Sequence, residues 1–130
     1  MCKYPLAVGV MVWDEARILL ARRLDKRWHG IWECPGGKVK DGELLSKAAT
    51  REVWEETGVY IPSYVLQIID CNVNHPTVEK FFMFETEMGQ YKFVNKEPRK
   101  RNDWKFIHKD EALTLKLMPG LKEQIQKHTI

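Results

Sequence analysis

The sequence lacks most of the features that would assign it to a specialised class. It has only three cysteines, Cys2, Cys34 and Cys71, odd in number and widely spaced. They form no C-x-x-C pair and no zinc pattern, so a disulfide framework and a structural zinc site are both excluded. All three are expected to be small buried hydrophobes in a reducing compartment. No apolar run is long enough to cross a bilayer. The longest, Leu6 to Trp13, is closed by Asp14 and Glu15. Lys3 gives that run a faint likeness to a signal peptide, but no small-residue cleavage site follows, and a buried strand accounts for it better. There is no internal repeat, low-complexity segment or linker. The net charge of +3 is too small to argue for nucleic acid. What is present is ordinary globular composition, 44% hydrophobic and 30% charged, over 130 residues. The expectation is a single cytoplasmic domain, residues 1–130, large enough to bury a core.

Periodicity supplies the elements. Leu6–Trp13 reads as a buried strand, Asp14-Glu15 as a turn, and Ile18–Ala21 as a strand pairing back, followed by Arg22 and Arg23. Leu24 to Ile31 is a polar loop, closed by Trp32-Glu33-Cys34 and the breaker Pro35-Gly36-Gly37. A helix is expected from Glu43 or Leu44 to Thr57, with Asp41 and Gly42 at its cap and Gly58 at its left-handed end. Val65–Asn74 and Lys80–Glu87 read as strands joined near Asn74-His75-Pro76, and Trp104–Ile107 as a short strand. Pro119 opens a last helix running to the C-terminus. Strands mixed with two or three helices imply an α/β layered domain.

The expected helix carries an anomaly. With Glu52 at zero on a wheel of about 100° per residue, Leu45, Ala48, Ala49, Glu55 and Glu56 all fall within about 60°. Three carboxylates therefore share the face that holds the small and apolar residues, while Ser46, Lys47, Thr50, Trp54 and Thr57 lie toward the other side. Glu52 and Glu56 are a like-charged i, i+4 pair. All three acids lie near the negative end of the helix dipole, where each costs about 0.3–1 kcal/mol. Local rules broken in this way mark functional sites. Clustered carboxylates on an inward face call for cations, and oxygen ligands suit Mg²⁺ or Mn²⁺. The alternative is a charged surface helix answered by Arg51 and nearby lysines. The glycines that bracket the segment count against it, because Gly36-Gly37 allows close backbone approach and Gly58 stops the helix behind the acids.

The segment from Gly37 to Val59 resembles the Nudix box, G-x5-E-x7-R-E-U-x-E-E-x-G-U, with U aliphatic. Gly37, Glu43, Arg51, Glu52, Val53, Glu55, Glu56, Gly58 and Val59 all match. Weaker similarity to the MutT-like nucleoside triphosphate branch extends over nearly the whole chain. The resemblance implies a mixed β-sheet sandwiched between helices, and hydrolysis of a nucleoside diphosphate linked to a group X by water attacking phosphorus. It implies Mg²⁺, with Mn²⁺ as a substitute, held by Glu52, Glu55 and Glu56 with help from a backbone carbonyl of Gly36 or Gly37. It implies that Glu43 and Arg51 fix the loop and orient the carboxylates, and that Glu97 reaches the metal from a later loop. Which carboxylate serves as general base stays open.

Substrate contacts are expected from Arg22 or Arg23, of which at most one easily faces the site, and from Trp28 and Trp32. Leu117 and Met118 complete the wall for the base. An aromatic ring there can stack on a base, although core packing suits Trp32 better. Lys96, Arg99, Lys100 and Arg101 read as a solvated basic loop, and His75 is assigned no role. Oxidised-guanine specificity in MutT-like enzymes uses an asparagine just before the last helix. Leu115-Lys116-Leu117-Met118-Pro119 has none. The apolar wall predicts hydrolysis of several nucleoside triphosphates with preferences of about ten- to a hundred-fold. The rivals are ADP-ribose or another NDP-sugar, a dinucleoside polyphosphate, capped RNA, and a non-catalytic nucleotide-binding module. The expected partner is a small nucleotide met by a monomer or homodimer, with neither membrane nor nucleic acid involved.

Overall fold

The structure, a computed structural model, describes residues 6–87 and 91–128. Its first strand, β1 (Leu6–Asp14), is buried on both faces. Ala7, Met11 and Trp13 enter one hydrophobic cluster and Val8, Val10 and Val12 the other. A strand covered on both sides reads as a continuous apolar run rather than an alternating one. The chain turns at Glu15, whose φ is 54°, into β2 (Arg17–Arg22). There follow β3 (Trp32–Glu33), β4 (Gly36–Lys38), α1 (Leu45–Thr57), a 3-10 turn at Ser63–Val65, β5 (Gln67–Asp70) and β6 (Lys80–Glu87). The order closes with β7 (Lys105–His108), α2 (Lys109–Ala112) and α3 (Leu121–Lys127).

The strands make one sheet in the order β3-β2-β1-β6-β5, with β4 also on β1 and β7 also on β2. β1 and β6 are parallel, from Leu6↔Lys80 to Trp13↔Glu87. The other named pairs are antiparallel. Ala48, Ala49 and Val53 of α1 cover one face, and Ala112, Leu121 and Ile125 of α2 and α3 cover the other. The mixed sheet between helices anticipated from the sequence is the observed architecture.

One edge of β1 is shared. β2 takes its end, at Trp13 and Asp14, while β4 takes its beginning, at Ala7, Val8 and Gly9. A Cβ on Gly36 would lie 2.3 Å from the carbonyl oxygen of Val8. Only glycine lets β4 run this close to β1. That close approach carries the next residue, Gly37, against the helix that bears the acids.

Several expectations are corrected. α1 starts at Leu45, its N-cap is Leu44 without a side-chain cap, and Asp41 and Gly42 lie in the loop before it. Thr50 and Thr57, placed on the solvent side, are buried, and each hydroxyl donates to a carbonyl, Ile61 O and Val53 O respectively. The strand expected over Val65–Asn74 is only Gln67–Asp70, preceded by the 3-10 turn at Ser63–Val65, with a register shift between Ile68 and Asp70. β7 is displaced by one residue from Trp104–Ile107. α3 begins after Gly120 at φ 84°, not at Pro119, and the end of its expected run lies outside the described residues. Cys34 is buried but Cys71 is exposed, and Cys2 lies outside the described residues. Among the described residues no helix is long and apolar enough to cross a membrane.

Candidate active site

The C-terminal half of α1 presents its acids at the margin of its buried face, toward β4. Glu56 is 6% exposed, and its Oε1 accepts the Gly36 N–H at 3.1 Å. Glu52 is largely covered, while the Glu55 side chain is 42% exposed. A Cβ on Gly37 would lie 2.4 Å from the Glu52 carboxyl carbon, so the missing side chain is a cradle for that carboxylate. Gly58 ends α1 at φ 77°, donating its N–H to Trp54 O. This left-handed cap is the one expected from the sequence.

Arg51 organises the outer half of the cluster. Its Nε and Nη2 grip both oxygens of Glu43 at 2.9 and 3.0 Å. Its Nη1 reaches Glu52 at 3.0 Å and Glu55 at 3.2 Å, and Nη2 also donates to Lys38 O. Glu43 accepts the Lys40 N–H in turn. One guanidinium thus ties the loop before α1 to two of its acids. The bidentate contact with Arg51 holds Glu43 down to about 2.

The inner half depends on a later loop. Val94 N–H donates to Thr57 O, and Lys96 N–H and the Trp104 indole N–H both donate to Glu56 O. These donors satisfy carbonyls that a helix end leaves open. They also fix the next residue, Glu97, beside the cluster. Glu97 is half-buried and accepts from Arg101 Nη1 at 2.6 Å. Burial raises its pKa, but that hydrogen bond and the charges of Arg101 and Lys100 outweigh it, and the net shift is down. Burial raises Glu52 against the pull of Arg51, with Glu55 and Glu97 adding to the rise. It pushes Glu56 well above the usual carboxylate range despite Arg101.

Beside this cluster lies a cavity of about 210 Å³. Gly36, Gly37 and Glu33 form its border with the acids, and Arg23, Trp28, His75, Thr77, Phe81, Met118 and Pro119 are among its other walls. Arg23 faces it, held by Asp25 at 2.8 Å through both Nε and Nη2, whereas Arg22 is exposed outside it. Trp28 and Met118 line it. Trp32 and Leu117 do not. They bridge to each other and pack against the core cluster behind it. The expected apolar wall is therefore only one side of the cavity, and Arg23, Glu33 and Thr77 make the rest polar.

Sequence reasoning missed three residues here. His75, given no role, stacks on Phe81 at 5.3 Å and tilts against Trp28 at 6.0 Å, and burial lowers its pKa. Glu33 sits in a strand next to the glycine turn, a position whose acidity was the available signal. Arg101, read as part of a solvated loop, is 3% exposed. Its i, i+4 spacing from Glu97 was the legible clue.

The donor set suits a hard divalent cation: carboxylates and backbone oxygens, with a glycine cradle opposite Glu52. As the side chains stand, the arginines engage these acids. No group of three Asp, Glu, His or Cys converges to hold an ion among the described residues.

The NUDIX domain profile matches residues 3–127, and the chain belongs to that family. It is 46% identical over 57 residues to an RNA pyrophosphohydrolase of Novosphingobium aromaticivorans, covering 43% of this chain and 35% of that protein. It is 35% identical over 65 residues to an 8-oxo-dGTP diphosphatase of Proteus vulgaris, covering 49% and 58%. A MutT protein from Methanosarcina mazei has a similar structure, with a TM-score of 0.73 and 26% identity over 95% of this chain and 91% of that one. The curated relatives are matched over only part of their own length, about a third for the RNA pyrophosphohydrolase.

Proposed function

We propose that this chain, folding as one domain, is a magnesium-dependent pyrophosphohydrolase that cleaves nucleoside triphosphates to the monophosphate and pyrophosphate. The observation that carries this reading is the acid cluster of Glu52, Glu55, Glu56 and Glu97, built against a glycine strand that also borders a cavity of about 210 Å³. Glu52, Glu55, Glu56 and Glu97, with the carbonyls of Gly36 and Gly37, are the residues that would hold Mg²⁺. Bound there, the ion would neutralise and orient the phosphates and acidify the attacking water.

The protein's own groups do the rest. Arg51 fixes the directions of Glu52 and Glu55 through the Glu43 anchor. Glu56, seated on the Gly36 N–H, is held above the usual carboxylate range by burial, and positive charge beside it favours its ionised form. Arg23 stands at the cavity wall, where a phosphate or base can be met, while Trp28 and His75 offer faces for stacking. In the reaction water adds its oxygen to phosphorus as the P–O–P bridge breaks. One proton is released, and a carboxylate of the cluster can accept it. The polar groups of the cavity allow sharper base discrimination than an apolar wall would, because a mismatched base leaves them unpaired.

A panel of nucleoside triphosphates, ADP-ribose, dinucleoside polyphosphates and capped RNA, assayed with Mg²⁺ and with products resolved, tests the reading. Monophosphate and pyrophosphate from the triphosphates are expected. Activity confined to ADP-ribose or capped RNA, or none at all, contradicts it.

A further inference from the structure

Arg101 has no task in the catalytic scheme above, yet it is the most deeply buried charged side chain of the site. Its Nε donates to Glu33 at 2.9 Å, its Nη1 to Glu97 at 2.6 Å, and its Nη2 lies 3.7 Å from Glu56 Oε2. The Trp104 ring lies beneath it at 5.4 Å. A guanidinium taken out of water requires such compensation. What matters is which acids provide it. Glu56 and Glu97 are two of the four assigned to the metal, and Arg51 already engages the other two. The loop backbone that carries Glu97 is independently fixed. Glu97 N–H donates to Asn95 Oδ1, Asn95 Nδ2 donates to Arg101 O, and Lys96 N–H donates to Glu56 O. A change of partner by Glu97 therefore needs rotation of its side chain alone.

We propose that Arg101 is the resident counter-ion of the acid cluster. It balances Glu56 and Glu97 while no metal is bound, and it competes with an incoming divalent ion for the Glu97 carboxylate. It is thus a positioning residue that sets the affinity of the metal site. The inference rests on the metal reading of that site.

The test is Mn²⁺ binding to the intact protein, followed by calorimetry or by the Mn²⁺ resonance, together with melting temperatures in chelator and in Mg²⁺. Wild type, Arg101→Gln and Arg101→Lys are compared. Removing a positive charge this close to a ligand oxygen should tighten Mn²⁺ binding at least about tenfold in the glutamine variant. That variant should melt about 5–10 °C lower than wild type in chelator and regain most of the loss in Mg²⁺, because metal replaces the missing cation. Lysine keeps the charge but cannot span Glu33 and Glu97 together, so its affinity should rise only about threefold. If the glutamine variant does not fold even with Mg²⁺, the lysine variant decides, and wild-type affinity there overturns the inference. Unchanged Mn²⁺ affinity in the glutamine variant, or an equal melting loss with and without Mg²⁺, reduces Arg101 to a structural residue. A wild-type protein that binds no Mn²⁺ removes the metal reading itself, and this inference with it.

Discussion

Glu56 sits where its own charge is unwelcome. It is nearly buried, at the negative end of α1, with Glu33 and Glu52 nearby, and burial is the largest cause of its raised pKa. One backbone N–H and a guanidinium 3.7 Å away are its visible support. On the proposed reading its charge serves the metal, and glutamine can replace it in shape. Glu56→Gln should therefore lower turnover by at least about a hundredfold, through loss of a ligand that stabilises the transition state. In chelator the same variant should melt as high as wild type or a few degrees higher. Steady-state kinetics and a thermal scan check the two halves. Near wild-type rates would remove Glu56 from the mechanism, and a large drop in melting temperature would make it a structural residue instead.

Among the elements, β4 separates folding from function most cleanly, because its two glycines face different things. A Cβ on Gly36 meets the Val8 backbone, which cannot yield, whereas a Cβ on Gly37 meets the Glu52 carboxylate, which can rotate. Gly36→Ala is expected to cost about 1–3 kcal/mol or more in stability. Gly37→Ala is expected to leave stability nearly unchanged and to reduce activity about 10- to 100-fold by displacing Glu52. Denaturant melts and rates on both variants test this, and the reverse pattern would contradict the assigned roles. The same elements show what a sequence can reveal. β1, β2 and β6 announced themselves because buried strands carry dense apolar runs, and the end of α1 because Gly58 adopts a conformation that few other residues tolerate. β5 and α2 were mistaken or missed. Ile68 in β5 is exposed, so periodicity had no burial to report there, and α2 is four mostly polar residues long. In the candidate site, the placement of Glu52, Glu55 and Glu56 along one margin of α1 was legible from spacing within one helix. The contact between Glu33 and Arg101 joins residues 68 positions apart, and no local pattern encodes it.

For the molecule as a whole, the acids pull stability in opposite directions as pH changes. Burial raises Glu52 and Glu56 above the unfolded value of 4.5. Their protonated forms are therefore favoured by folding. That contribution is complete below pH 4.5 and is lost as pH rises through their folded values. Glu43 is held down to about 2 from 4.5 by Arg51, so its contribution is present above 4.5 and is lost as pH falls toward 2. Free of metal, the protein should lose stability as pH rises through the folded values of Glu52 and Glu56, and saturating Mg²⁺ should offset that loss by favouring the ionised carboxylates. Melting temperatures across pH in chelator and in Mg²⁺ test this, and a pH profile that Mg²⁺ leaves unchanged would contradict it.

The proposed metal-dependent attack of water on a phosphoanhydride at the acid cluster of α1 is tested most directly by hydrolysis of a nucleoside triphosphate in ¹⁸O-labelled water, with products weighed by mass spectrometry. Label is expected in only one product of each cleavage, either the monophosphate or the pyrophosphate, with turnover abolished by chelator and restored by Mg²⁺. Turnover that persists undiminished in excess chelator, or release of inorganic phosphate in place of pyrophosphate, would contradict it.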